Sequence, residues 1–66
     1  MELSPHDRRW MRQVIEACRA GLTPYLTSRH TFTILCGLDV RTPFDETLMY
    51  GEKLLAILEV RDRLAK

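Results

Sequence analysis

Sixty-six residues, 45 % hydrophobic and 29 % charged with a formal net charge of +1, describe one small globular domain over 1–66 rather than a disordered chain. A chain of this size buries only about 60 % of the surface its unfolded form exposes, so its stability needs a disulfide, a metal or a partner. The charge argues against a dedicated nucleic-acid binder, because residues 1–30 hold five Arg against three acids and residues 31–66 five Lys or Arg against six acids.

Two cysteines, Cys18 and Cys36, form no Cys-x-x-Cys pair, which points to structural thiols in a reducing cytosol. The N-terminus has no secretory apolar run, and no stretch approaches the roughly 18 apolar residues of a membrane span. The expectation is a cytoplasmic protein and, since the chain starts at Met1, a complete small reading frame.

The first element begins at Ser4-Pro5-His6-Asp7. Ser4 can cap a helix, Pro5 suits its first position and Asp7 complements the dipole. Gly21 supplies a stop. Helix 1 therefore spans about 5–20, with Trp10, Met11, Val14, Ile15, Ala17 and Cys18 on one side and Arg8, Arg12, Glu16 and Arg19 on the other. Trp10 reads as core, given Val14 and Ala17 beside it.

A weaker start, Thr23-Pro24, and a stop at Gly37 bound helix 2 at about 24–36. Thr31 to Leu35, "TFTIL", is β-branched enough to alternate as a strand. A lone strand would have nothing to pair with, whereas a helix lines Tyr25, Phe32 and Cys36 on one face with Leu26 and Leu35 beside them. Helix is the reading adopted, with strand over 28–36 as the alternative.

Thr42-Pro43-Phe44-Asp45 repeats the opening grammar and starts helix 3 at about 43–65, with Thr42 expected as its cap. At 100° per residue, Phe44, Leu48, Gly51, Leu54, Leu55 and Leu58 form a core stripe. Met49, Tyr50, Ala56, Ile57, Val60 and Leu64 form a second apolar surface, interrupted by Lys53 and Arg61. Asp45, Glu52 and Glu59 make a polar line. Helix 3 spans roughly 34 Å against roughly 24 and 20 Å for the others, so part of it is expected to lack a partner within the chain. A helix apolar on two sides is buried on two sides.

Other chemistry finds little footing. His6, Cys18, His30 and Cys36 lack the close ligand pair that nucleates a zinc site. Ser28 and His30 do not face each other on a helix, and nothing supplies an oxyanion hole. Asp45 and Glu46 point about 100° apart. A helix-turn-helix over residues 31–44 would put Phe44, Asp45 and Glu46 against DNA, where acids repel phosphate. Arg8, Arg12 and Arg19 are candidate contacts to an anionic partner; the simpler reading is a solvated face with Arg12 and Glu16 paired at i, i+4.

The expectation is thus an all-α three-helix domain whose long C-terminal helix is shared with another chain. Its function is that of a small non-enzymatic interaction protein, without cofactor or metal, that dimerises or docks on a larger protein. Adaptors, co-chaperones and inhibitors encoded by mobile elements are fold-level analogues. The interface is assigned to Met49, Tyr50, Lys53, Ile57, Val60 and Leu64. The alternative is a small DNA-binding regulator using the helix 1 arginines.

Overall fold

A computed structural model describes residues 3–65, in which three helices follow one another: α1 (Pro5–Arg19), α2 (Leu26–Leu35) and α3 (Phe44–Leu64). At the start of α1 the Ser4 hydroxyl accepts a hydrogen bond from the Asp7 N–H at 3.1 Å, with Pro5 in the first turn. That bond satisfies one of the donors a helix start leaves free.

Both short helices end alike. The Gly21 and Leu22 N–H groups donate to the carbonyls of Cys18 and Ala17, and those of Gly37 and Leu38 to Ile34 and Thr33. Gly21 and Gly37 hold φ of 86° and 77°, a region glycine enters without a Cβ clash. This paired bonding is the Schellman stop, and it turns the chain sharply after each helix.

The "TFTIL" segment is helix. Its threonines tolerate the helix because their hydroxyls donate one turn back: Thr31 to the Thr27 carbonyl at 2.9 Å, Thr33 to the Arg29 carbonyl at 2.8 Å. Thr33 is buried as a result with its polar group satisfied. The expected inner face of α2 needs correction at its N-terminal end. Phe32 and Cys36 are buried and Leu35 packs against the core, but Tyr25 is 86 % exposed and Leu26 is exposed too. Tyr25 is the residue before the helix, with extended backbone, so helical angles do not govern where its side chain goes.

The start of α3 also departs from expectation. Pro43 is the N-cap residue and makes no side-chain cap. Thr42 stands one residue outside the cap position, in the preceding turn, where its N–H donates to the Asp39 carbonyl at 2.9 Å. That turn is held by Asp39, which accepts from the backbone and guanidinium of Arg41. These bonds hold the Asp39 carboxyl below the usual carboxylate range. The Thr47 N–H makes the first helical bond to the Pro43 carbonyl, and the buried Thr47 hydroxyl donates to the same oxygen.

α3 is the wall on which both other helices pack. Leu55 and Leu58 join Leu3, Met11, Val14, Ile15, Phe32 and Cys36 in the buried core, with Phe44, Leu48 and Leu54 half-buried around it. Phe32, fully buried, meets the Phe44 ring edge-on at 5.8 Å between centroids, a favourable quadrupole arrangement. It is accommodated by Gly51. A Cβ at that position would stand 2.5 Å from Phe32 Cζ, so only glycine lets α2 approach this closely.

α2 covers the N-terminal half of the inner face through Phe44 and Gly51, and α1 covers the remainder from Glu52 to Asp62. The short helices act in series, so the inner face has no bare overhang; the bare region is the opposite face. The overall proportions reflect this half-wrapped wall: 37 × 25 × 18 Å, with a radius of gyration of 11.8 Å against about 10.8 Å for a typical globule of this length.

Candidate functional site

The outer face of α3 carries Met49, Tyr50, Ile57, Val60 and Leu64, 45–81 % exposed, with Ala56 and Lys53 also open to solvent. All six residues assigned to an interface from the sequence lie on this one face. Five of the six, all but Met49, also follow a spacing that helical angles alone left unnoticed. Glu46, Tyr50, Lys53, Ile57, Val60 and Leu64 are spaced by four, three, four, three and four residues, the a/d seam of a coiled coil. Glu46, exposed and seven residues before Lys53, is the member missed; counting the seam in sevens would have found it.

In seam notation, β-branched Ile57 shares the a positions with Tyr50 and Leu64, while Glu46, Lys53 and Val60 take d. Arg61 and Arg63 lie in the last turn and Asp45 and Glu46 in the first, so the face is acidic at its start and basic at its end, as the dipole favours.

Three of the four α1 arginines, Arg8, Arg12 and Arg19, are engaged within the chain. Arg8 pairs with Asp62, Arg12 with Glu59, and Arg19 with Glu52 at 2.7 Å. As residue numbers fall on α1 they rise on α3, which is the register of two antiparallel helices zipped along one edge. The i, i+4 pairing of Arg12 with Glu16 expected from the sequence gives way to this cross-helix contact. Arg8 also donates to the Leu3 carbonyl at 3.2 Å, and its guanidinium holds the Asp62 carboxyl below the ordinary range. Arg12, Arg19 and their partners are substantially exposed, so each pair contributes at most about 1 kcal/mol. Their role is to set register.

A depression of about 510 Å³ is this same ion-pair surface seen from the end of the bundle, lined by Pro5, Arg8, Arg9, Arg12, Glu59, Asp62 and Arg63. Ligand pockets of that size are mostly lined by apolar residues with a few placed polar groups; here every lining residue but Pro5 is charged. His6 and His30 are exposed, Cys18 half-buried and Cys36 buried. Among the described residues no three His, Cys, Asp or Glu side chains gather as a metal-holding group. Burial pushes the Cys36 thiol up to about 11, so it stays protonated at neutral pH and packs as a small hydrophobe. Ser28 is half-buried and His30 exposed on α2.

A second apolar cluster, Leu22, Tyr25 and Leu26, is exposed where α1 passes into α2. The helix-start reading of Thr23-Pro24 hid it, since that reading drew Tyr25 and Leu26 into the core face. Among the described residues no helix is long and apolar enough to cross a membrane. The chain matches no family model, no curated protein and no solved structure.

Proposed function

We propose that this chain is a small non-enzymatic interaction protein, which binds another protein chain through the outer face of α3 and modulates that partner by occupying it. Either a second copy or a larger protein fits the reading, in the manner of an adaptor, co-chaperone or inhibitor. One observation carries it: five large apolar side chains stand 45–81 % exposed along a single helix face, although the same helix already buries its opposite face in the core. An exposed set of large apolar side chains along one helix face marks an interaction site. Total exposure agrees in direction. The chain shows 4884 Å² to solvent, where a folded monomer of 7.7 kDa is expected to show about 4,300 Å². Two free thiols suit a cytoplasmic setting.

The alternative, a DNA-binding regulator using Arg8, Arg12 and Arg19, draws less support because each of these guanidinium groups already has a carboxylate partner. Ile57→Asp tests the proposal. It should abolish dimerisation or capture of a protein partner while circular dichroism still reports helix, because a charge replaces an apolar side chain that leaves the core untouched. Unchanged association and unchanged partner capture would defeat it.

A further inference from the structure

The outer face of α3 is assigned above to a protein partner; resting on that reading, we infer that the partner is a second copy of this chain, its α3 lying antiparallel about a two-fold axis that crosses the outer face between Lys53 and Ile57, level with Leu55. Three observations select this occupant and direction. In a parallel pair every seam residue meets its own copy, so Lys53 would face Lys53 and Glu46 would face Glu46. Like charges in a seam are repelled, and nothing on the exposed face offsets them.

An antiparallel pair instead sets a positions against d positions of the other chain. Among the antiparallel registers that do so, the one centred near Leu55 pairs all six seam positions: Glu46 with Leu64, Tyr50 with Val60, and Lys53 with Ile57, each twice by symmetry. Shifting by one heptad in either direction leaves two positions of each helix unpaired. The contact is isologous, as two-fold dimers require. Lys53 lays its aliphatic stem along Ile57 of the other copy and reaches water with its ammonium.

Charge agrees with the same register. Glu46, in the acidic first turn, comes to lie beside Arg61 and Arg63 of the other copy's basic last turn. Near the axis Ala56 approaches its own copy, and a small side chain there lets the helices close.

The test measures mass and orientation separately. Light scattering and sedimentation on the wild-type chain should report a dimer that dissociates on dilution, and a dimer that Ile57→Asp converts to monomer. Glu46→Lys should then weaken the dimer by roughly tenfold, because it meets Arg61 and Arg63 across the interface twice. Adding Arg63→Glu to it should restore most of the loss. In a parallel dimer the two sites lie at opposite ends and the second change restores nothing. A dimer broken by Ile57→Asp without that rescue overturns the antiparallel register and leaves the docking face standing. A wild-type chain that stays monomeric up to about 1 mM, the weak end of specific association, overturns the second copy as occupant. If Ile57→Asp then also leaves partner capture intact, the docking face itself falls.

Discussion

The two faces of α3 are built from nearly the same residue types and have opposite fates. Leu55 and Leu58 are 4 % and 3 % exposed, whereas Ile57 and Val60, one or two residues away, are 63 % and 50 % exposed. Hydrophobicity alone therefore does not decide burial in this helix. What decides it is that a 66-residue chain has two further helices, and both lie on the same side. The inner face is also specified in shape, since Gly51 admits the Phe32 ring and Thr47 hides its hydroxyl against its own backbone. The outer face has no such fitted feature; it is specified only by the spacing of its seam.

The largest expected difference comes from truncating one residue on each face. Leu55→Ala should cost about 2–5 kcal/mol by lost transfer energy and the cavity left behind, enough to unfold a marginal domain. Ile57→Ala should stay within about 0.5 kcal/mol in dilute solution, as exposed substitutions do. Urea denaturation at low chain concentration compares them directly. Equal losses would mean that the outer face is part of the monomer's core after all.

A pH titration sharpens the contrast from the inner side. The buried Cys36 thiol ionises only near pH 11 when folded but near 9 when unfolded, so its contribution is intact below pH 9 and lost as pH rises toward 11. That loss is about 2–3 kcal/mol. Melting temperature should fall over this window, and the fall should be smaller in Cys36→Ala. Identical profiles for the two proteins would contradict the burial of the thiol.

A smaller change than the loss at Leu55 is expected at Gly51. Alanine improves helix propensity by about 1 kcal/mol, but its methyl collides with a ring wedged between Trp10 and Phe44. Overpacking of this kind costs about 1–3 kcal/mol, so Gly51→Ala should be net destabilising by about 1 kcal/mol. Chemical denaturation settles the sign; a stabilised variant would show that Phe32 moves aside freely.

Local signals were read well where the residue acted on its own neighbours. Ser4-Pro5 set the start of α1, and Gly21 and Gly37 set both helix stops, because a cap or a left-handed turn is closed within about five residues. Thr42-Pro43 carried the same letters and behaved differently. Its threonine stands one residue outside the cap position, in the turn that Asp39 and Arg41 hold together, which the four-residue grammar does not contain. The arginine stripe was equally visible, but its partners were not. Glu52, Glu59 and Asp62 are more than thirty residues away along the chain, and their pairing depends on α1 and α3 lying antiparallel.

Sequence by itself determined that there are three helices, roughly where they begin and end, and that the third has two apolar faces, since all of this follows from capping chemistry and a 3.6-residue period. Tertiary structure alone decided which face the chain could cover, which apolar residues of the α1–α2 connection stayed outside, and which carboxylate each arginine took. The physical reason is that burial and ion pairing are properties of two surfaces meeting. α2 lies where Phe32 fits over Gly51, and α1 where Met11, Val14 and Ile15 join Leu55 and Leu58 in the core, with the charges along the shared edge in matching register.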